Sequence, residues 1–395
     1  MDDVIKISFT VGTLIVAYFF GAKLSKLRNF SFLSERKGRY GSIDGLRGYL
    51  AIAVFFHHFI ITWYWKNTGK WARPPEDYFQ NYGKVGVAIF FMITGFLFVS
   101  KLLKDQGKTD WFKLFESRFF RIFPLYLFSL FIITVVVFYK QKFELYVEPI
   151  KLIKEYIRWF VFYGGRINDF SETKQIIAGV DWTLKYEWLF YISLPFIAQI
   201  IRLGKVVSIV ILIGCLGAFL FPISKIGVSS TYFILFAVGA ICAYLAHTKL
   251  AKNKIFSSHL FSIISTLLLV LSLIYPSTFS LMHIAIISMF FFIISLGNDM
   301  FGLLSKRPSI LLGEISYSIY LLHGVVLYFS FTLFNITPLD TVGLKEYLFF
   351  MPLLCVLVIM SSVLTYLFIE VPLIKYGKCY FISGKIKKML TKKST

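Results

Sequence analysis

The stretch IDGLRGYLAIAVFFHHF, residues 43–59, decides the fold class because nearly every residue in it is apolar. An apolar run of this kind is typical of a helix that crosses a membrane. Arg47 near its start and His58 farther along are costly in hydrocarbon, which suggests that both have a function. Their positions differ by eleven, close to three helical turns, so the two side chains share nearly one face about 16 Å apart along the axis.

The whole chain has the composition of a polytopic membrane protein. Of its 395 residues 57% are hydrophobic and only 16% are charged, whereas soluble proteins carry about 25% charged residues. The formal net charge is +21. The basic residues cluster between apolar runs, so the preference of positive loops for the cytoplasm explains most of this charge, and a nucleic-acid partner is not expected.

Apolar runs predict an all-α polytopic membrane protein with about eleven transmembrane helices. The connections alternate in charge, which predicts that the N-terminus lies outside and the C-terminus in the cytoplasm. The first run starts with acidic residues and has no cleavage site, so it is a retained span. The predicted spans are 4–22, 46–65, 85–103, 119–139, 185–202, 206–223, 229–247, 259–275, 278–297, 310–333 and 346–369.

Two remaining features of the chain carry little chemistry. The long connection 140–184 is predicted outside, and its amphipathic piece KLIKEYIRWFVFYG lies along the interface or dips in and returns. The four cysteines have neither disulfide nor zinc-ligand spacing, so no metal site is expected. They are Cys215, Cys242, Cys355 and Cys379.

Arginines form the first group of candidate site residues. Arg118 and Arg121 stand at i and i+3 on one helix face, where they can grip phosphates in a bidentate way. Arg47 and Asp44 lie at the same predicted membrane boundary. Simple anchoring of a helix end at the cytoplasmic surface is the alternative explanation for each arginine.

His58 is the candidate base, because burial keeps an imidazole neutral at neutral pH. The alternative is a buried histidine whose hydrogen bonds are made by neighbouring core residues and that has no part in catalysis. The adjacent His57 points about 100° away on the helix, so only one of the two shares the face of Arg47, and the spacing favours His58.

Two further segments place polar side chains inside apolar runs. Glu187 in DWTLKYEWLFY opens a span from outside, where it orients a substrate or an imidazole, or pairs with Lys185. In GEISYSIYLLHG, the residues Ser316, Tyr320 and His323 recur at helical spacing. Such a stripe lines a cavity or joins helices by hydrogen bonds.

Taken together, these segments resemble the acyltransferase-3 family of integral membrane acyltransferases. The resemblance covers about residues 42–375 and rests on IDGLRGYLAIAVFFHH, FFMITGFL, RFFRIFP, WTLKYEWLFY, SYSIYLLH and IEVP in this order. Many members have ten core helices, so the resemblance implies a ten-helix core plus one N-terminal helix. The implied domains are 1–41 for that helix and a basic cytoplasmic loop, 42–375 for the core, and 376–395 for a basic cytoplasmic tail.

The resemblance implies transfer of an acyl group, usually acetyl, from cytoplasmic acyl-CoA to a carbohydrate hydroxyl at the bacterial inner membrane. No permanently bound cofactor is needed, and the implied partners are acyl-CoA, the carbohydrate acceptor and membrane lipids. The implied roles are catalysis for His58, Glu187 and His323, binding of the acyl-CoA donor for Arg47, Arg118, Arg121 and Asp44, and substrate binding for Trp182, Ser316, Tyr317 and Tyr320.

The residues leave a second function class open. Ionisable groups inside a helical bundle also describe a proton-coupled transporter or a flippase of a glycan or small molecule. Against it, no pair of Gly/Pro-broken helices repeats in two halves of the chain. The acceptor, the acyl length, a covalent acyl intermediate and an oligomeric state are open as well.

Overall fold

The structure is a computed structural model that describes residues 2–34, 40–106, 108–204, 229–276 and 279–379. Within these ranges the chain is helical and forms no strand. The helices are α1 Asp2–Leu24, α2 Gly41–Thr68, α3 Asp77–Lys104, α4 Trp111–Lys140, α5 Pro149–Phe160, α6 Trp182–Arg202, α7 Ser230–Ala246, α8 His259–Ile274, α9 Leu281–Ser295, α10 Arg307–Glu314, α11 Ser316–Tyr328, α12 Leu344–Leu348, α13 Phe350–Thr365 and α14 Val371–Cys379. Short 3-10 turns cover Arg28–Ser34, Gln175–Ile177, Lys249–Lys252 and Lys254–Ser257, and π turns cover Phe329–Leu333 and Tyr366–Glu370.

Long apolar helices make this an integral membrane protein. Six helical stretches in the described part of the chain are long and apolar enough to cross a bilayer, and three shorter apolar helices accompany them. A helix makes the hydrogen bonds of its own backbone groups, and this is required in the hydrocarbon of a bilayer, where no water is present to make them. The prediction of an all-α membrane protein is confirmed, whereas the predicted number of eleven spans is not. The predicted span 206–223 lies outside the described residues.

The predicted span 310–333 is wrong as a single helix. The chain forms α10 and α11 instead, and they meet at Ile315, whose backbone leaves helical geometry at φ −89° and ψ 7°. Beside this break, the buried Glu314 accepts a hydrogen bond from the Tyr366 hydroxyl at 3.1 Å. The apolar pattern alone could not reveal the break, because both pieces are buried along their length.

The centre of the bundle is α2, which packs against α3, α10 and α11. A close crossing joins α3 to α7. A Cβ atom on Gly239 would lie 2.0 Å from the carbonyl oxygen of Met92, and one on Gly95 would lie 2.2 Å from that of Phe236. Only glycine permits backbones to approach this closely, as at many helix crossings in membranes. The crossing fixes α3 between α2 and α7.

The additional N-terminal helix α1 is docked onto the core. It packs along α13 and α10, and the Lys6 ammonium lies 2.6 Å from the Glu76 carboxylate in the connection between α2 and α3. Tyr64 at the end of α2 donates to the same Glu76 oxygen at 3.1 Å. That residues 1–41 and 376–395 form units separate from the core 42–375 stays a prediction.

The amphipathic piece of the long connection forms α5, with Pro149 in its first turn, where a missing N–H costs nothing. Its apolar residues Ile150, Ile153 and Ile157 are 67%, 59% and 54% exposed and lie on one face. Trp159 on the other side is fully buried. A helix with one apolar exposed face suits the plane of a membrane interface, and its position there stays a prediction.

Candidate active site

Most of the predicted site residues line two buried cavities stacked along the bundle. The first, called here the arginine cavity, has a volume of about 140 Å³ and lies towards the end where α2 begins. It takes side chains from α2, α3, α4, α6 and α11. Its polar lining consists of Arg47, Thr94, Arg118, Arg121, Thr183, Glu187, Tyr191, Ser316, Tyr317 and Tyr320.

The three arginines converge on the arginine cavity from two helices. Arg47 comes from the second turn of α2, and Arg118 and Arg121 share a face of α4. Among the described residues, no carboxylate oxygen lies within the 4.0 Å of a salt bridge from any of the three guanidinium groups. Three cations held together without a direct acidic partner make a site for an anion.

Glu187 lies on the arginine cavity, although it was expected near the outer end of its span. The first turns of α6 run towards the arginine cavity from a second cavity, which is lined by His57 and His58. Glu187 therefore lies beside the arginines. Its carboxylate accepts a hydrogen bond from Tyr191 one turn farther along, and its charge acts on all three arginines. The Lys185 ammonium lies 4.6 Å from the ring centre of Tyr163, and its pairing with Glu187 stays a prediction.

The second cavity, called here the histidine cavity, has a volume of about 150 Å³ and lies towards the end where α2 finishes. It is bordered by the starts of α3, α6 and α7 and by the approach to α9. Val87 and Tyr320 line both cavities and so form the wall between them. The lining consists of Val54, His57, His58, Gly83, Lys84, Val87, Val180, Trp182, Tyr232, Phe279 and Tyr320.

His58 and His323 are brought into direct contact by α2 and α11. The Nε2 atom of His323 lies 2.9 Å from Nδ1 of His58, and the two rings stack with centres 5.0 Å apart. His323 is fully buried, while Trp71 covers the His58 ring at 6.2 Å between centres. The polar stripe predicted on α11 therefore has one end on the arginine cavity, at Ser316, and the other at this histidine pair.

The hydrogen-bond acceptors around the pair fix where the protons of the neutral rings sit. Nδ1 of His323 faces the Ile319 carbonyl oxygen at 3.1 Å, so that nitrogen carries the proton and Nε2 carries the lone pair. Nδ1 of His58 faces this lone pair and the Val54 carbonyl oxygen at 3.1 Å, so it carries a proton too. The remaining nitrogen, Nε2 of His58, is left with a lone pair that can accept a proton.

His57 was set aside in favour of His58, yet it lines the same cavity. Its Nδ1 faces the Phe79 carbonyl oxygen at 2.8 Å, which leaves the lone pair on Nε2. Gly83 makes room for the ring, since a Cβ atom there would lie 2.5 Å from His57 Cδ2. In the sequence, only its position next to His58 pointed to His57. A helical wheel places His57 off the face of His58, but the cavity is wider than one helix face and both rings line it.

The remaining predicted residues take structural or peripheral positions around the cavities. The Tyr317 hydroxyl donates to the Ile122 carbonyl oxygen at 2.8 Å, which ties α11 to α4. The Tyr320 hydroxyl lies 3.0 Å from Thr183 Oγ1. Trp182 lines the histidine cavity, apart from Glu187. Asp44 lines neither cavity but acts electrostatically on Arg47.

The π turn Tyr366–Glu370 contributes a further acid near the arginine cavity. Glu370 is fully buried and accepts a hydrogen bond from Ser318 on α11. Arg121 and Arg47 act on its charge without reaching salt-bridge distance in the described structure. It therefore belongs to the electrostatic surroundings of the arginine cavity, with Ser318 as its direct partner.

These features define an integral membrane protein built around an internal polar site. Comparison with known proteins identifies it further, because residues 40–368 match a family model described as an acyltransferase domain. The chain belongs to the acyltransferase-3 family, which confirms the resemblance drawn from its motifs. No solved structure matches it.

Three relatives carry informative names. Nodulation protein 10 of Rhizobium leguminosarum bv. viciae is 24% identical over 320 residues, covering 74% of this chain and 84% of the relative. The putative acetyltransferase ORF330 of Acidianus two-tailed virus is 28% identical over 314 residues, covering 75% and 86%. The putative peptidoglycan O-acetyltransferase YrhL of Bacillus subtilis (strain 168) is 23% identical, covering 85% of this chain and 55% of its own length. The family and these names support O-acyltransferase activity.

Proposed function

We propose that this protein transfers an acyl group, in the simplest case acetyl, from acyl-CoA to a hydroxyl group of a cell-envelope carbohydrate. One observation carries the proposal. A cavity with three converging arginines and a cavity with two histidines lie end to end and share the wall formed by Val87 and Tyr320. A reaction that joins an anionic donor on one side of a membrane to an acceptor on the other needs this arrangement.

The arginine cavity is the proposed donor site. CoA carries several phosphate charges, and the guanidinium groups of Arg47, Arg118 and Arg121 are suited to phosphate oxygens. Ser316 adds a buried hydroxyl on the same cavity that has no hydrogen-bond partner in the described structure. We assign Glu187 the task of orienting the arginines, since its charge acts on each of them.

His58 is the proposed general base. Its Nε2 lone pair takes the proton of the acceptor hydroxyl while the hydroxyl oxygen attacks the thioester carbonyl carbon. The new C–O bond forms, the C–S bond breaks, and CoA leaves as the thiolate, which takes up the proton to become the thiol. His323 holds the reactive tautomer, because its Nε2 accepts a hydrogen bond from the Nδ1–H of His58. General base catalysis of this kind typically contributes 10²–10⁴-fold.

The site suits a donor on the cytoplasmic side. Arg47 lies about 16 Å from His58 along the helix axis, a distance that the extended pantetheine arm of CoA can bridge. The basic connections of the chain support the same orientation, with the arginine cavity facing the cytoplasm of a bacterial inner membrane. Trp182 and Tyr320 then face the acceptor from the histidine cavity.

The proposal is tested by incubating the purified full-length protein with acetyl-CoA and envelope glycans and measuring release of the CoA thiol. We expect thiol release that depends on the glycan, with acetyl esters appearing on the glycan. Glycan-dependent proton movement across proteoliposomes, without any thiol release, would contradict the proposal and favour a transporter.

A further inference from the structure

The wall between the two cavities separates the proposed donor site from the proposed base. Val87 on α3 and Tyr320 on α11 border both cavities. The rings of Tyr320 and His323, nearly one turn apart on α11, have centres 6.3 Å apart. A donor whose charged end lies among the arginines must pass this wall to reach the histidine pair. The groups along the wall therefore contact the part of the donor between its phosphates and its thioester.

The arginine cavity contains a buried hydroxyl group on the way to this wall. Ser316, the first residue of α11, is 1% exposed and lines the arginine cavity. Its Oγ atom has no hydrogen-bond partner among the described residues. A buried hydroxyl group without a partner costs free energy. A ligand that hydrogen-bonds to Ser316 inside the cavity removes this cost.

Two further hydroxyl groups continue the polar lining up to the wall. The Tyr320 hydroxyl lies 3.0 Å from Thr183 Oγ1 and 3.3 Å from the Val180 carbonyl oxygen. Thr183 lines the arginine cavity, whereas Val180 lines the histidine cavity. Ser316 and Tyr320 are four residues apart, about 6 Å along the axis of α11. Polar groups therefore border the path from the arginine cavity to the histidine cavity at two successive levels.

The helix α3 adds apolar side chains to the same path. Val87, Phe90 and Phe91 line the arginine cavity, and the ring centres of Phe90 and Tyr320 lie 6.0 Å apart. Val87 continues the apolar lining into the histidine cavity. The path thus combines hydroxyl groups from α6 and α11 with apolar surface from α3, which suits a flexible chain that carries both methylene and amide groups.

We propose that the pantetheine arm of acyl-CoA lies against Ser316 and crosses the wall between Val87 and Tyr320, so that its thioester reaches the histidine cavity. The arm is a chain of methylene and methyl groups with two amides, and a buried amide needs a hydrogen-bond partner. Ser316 meets one amide, and the hydroxyl pair of Thr183 and Tyr320 meets the other. This inference rests on the proposed acyl transfer and adds a site for the donor's arm to the arginine site for its phosphates.

The test compares two ligands by isothermal titration of the purified full-length protein. One is a thioether analogue of acetyl-CoA, which keeps the arm but cannot transfer its acetyl group. The other is the nucleotide headgroup of CoA, which lacks the arm. Ser316→Ala is expected to weaken binding of the analogue roughly 3- to 10-fold, as for loss of one neutral hydrogen bond, and to leave binding of the headgroup unchanged.

Ser361→Ala is the matched control for the serine variant. It also removes a hydroxyl group from a membrane helix, on α13, where Ser361 donates to the Val358 carbonyl oxygen at 2.9 Å. Ser361 is not part of the lining of either cavity. The control should bind both ligands with the affinity of the unmodified protein.

A larger side chain at position 87 tests the crossing itself. Val87→Phe should lower glycan-dependent thiol release from acetyl-CoA roughly 10-fold or more, because an overpacked site resists a further chain. Binding of the headgroup should stay unchanged, which also shows that the variant is folded. Val87→Leu is the milder change, with a smaller fall expected, and it takes the place of Val87→Phe if that variant loses headgroup binding.

Equal weakening of both ligands by Ser316→Ala would place this serine at the phosphates, and unchanged binding of both would leave it without a part in donor binding. Either result, or full activity of the Val87 variants, would overturn the inference. The acyl transfer would still stand, because the unmodified protein releases the thiol. An unmodified protein that binds neither ligand and releases no thiol would overturn the acyl transfer together with the inference.

Discussion

The two cavities have nearly the same volume, about 140 and about 150 Å³, but opposite chemistry. The arginine cavity gathers permanent cations that suit an anion, and it holds no histidine among its lining residues in the described structure. The histidine cavity holds two imidazoles with free lone pairs beside aromatic rings. One helix, α2, supplies Arg47 to the first and His58 to the second. Under the proposed function, the difference teaches that α2 would separate donor binding from the chemical step by position along its axis.

The largest expected effect comes from the histidine cavity. His58→Ala should lower kcat by roughly 10²- to 10⁴-fold, the usual contribution of a general base. His57→Ala is the matched control, because it removes the neighbouring imidazole from the same cavity. We expect it to cost far less, since the described hydrogen bond to His323 comes from His58, whereas the Nδ1 of His57 faces the Phe79 carbonyl oxygen. The measurement is the rate of acetyl transfer to glycan by each purified variant. A greater loss of rate for His57→Ala than for His58→Ala would mean that His57 is the base.

Arginine variants should act on binding instead of on the chemical step. Arg118→Ala or Arg121→Ala is expected to raise the KM for acetyl-CoA roughly 10- to 100-fold, as for loss of a charge-assisted hydrogen bond. The value of kcat at saturating donor should change little. Lys113→Ala on the exposed start of the same helix controls for general loss of positive charge. Initial rates against acetyl-CoA concentration give both constants, and an unchanged KM would reduce these arginines to membrane anchors.

His323 tests whether the histidine pair works as a unit. His323→Leu removes the acceptor for the Nδ1 proton of His58 and should lower kcat roughly 10- to 100-fold, because misorientation of a catalytic group carries costs of that size. His323→Gln keeps an oxygen acceptor and should recover part of the rate. The pH profile of kcat should shift in the Leu variant and less so in the Gln variant. Equal profiles for both variants would mean that His323 only fills space.

The smallest expected effect concerns Asp181, in the segment 180–184 that contributes to both cavities. Burial raises the pKa of Asp181 from 3.8 to about 6. The contribution of Asp181 to the free energy of unfolding is therefore highest below pH 3.8 and falls as the pH rises to about 6, because ionisation is costlier in the folded state. Asp181→Asn should stabilise the protein at pH 8 by up to about 3 kcal/mol and do little at pH 4. Thermal unfolding in detergent at both pH values measures this, and equal effects at the two would contradict it.

Much of the helical framework could be predicted from the sequence, because long apolar runs have only one stable backbone in hydrocarbon. The shared face of Arg118 and Arg121, and that of Ser316 and Tyr320, also followed from helical periodicity, which is a local property. The break at Ile315 could not be predicted, since the apolar pattern continues across it and both α10 and α11 are buried.

Contacts between residues far apart in the sequence could not be predicted either. His58 and His323 are separated by 265 positions in the chain, and no local pattern pairs them. Glu187 was expected at the outer end of its helix, and its distance from the arginines depends on where α6 sits in the bundle.

The central claim is that the arginine cavity binds the acyl donor and the histidine cavity performs the transfer. Direct binding of acetyl-CoA, measured by isothermal titration of the full-length protein, tests this claim most directly. The His58→Ala variant should bind acetyl-CoA with the Kd of the unmodified protein, whereas a variant carrying both Arg118→Ala and Arg121→Ala should bind it at least 10-fold more weakly, as two lost charge-assisted contacts require. Equal binding by all three proteins would contradict the account.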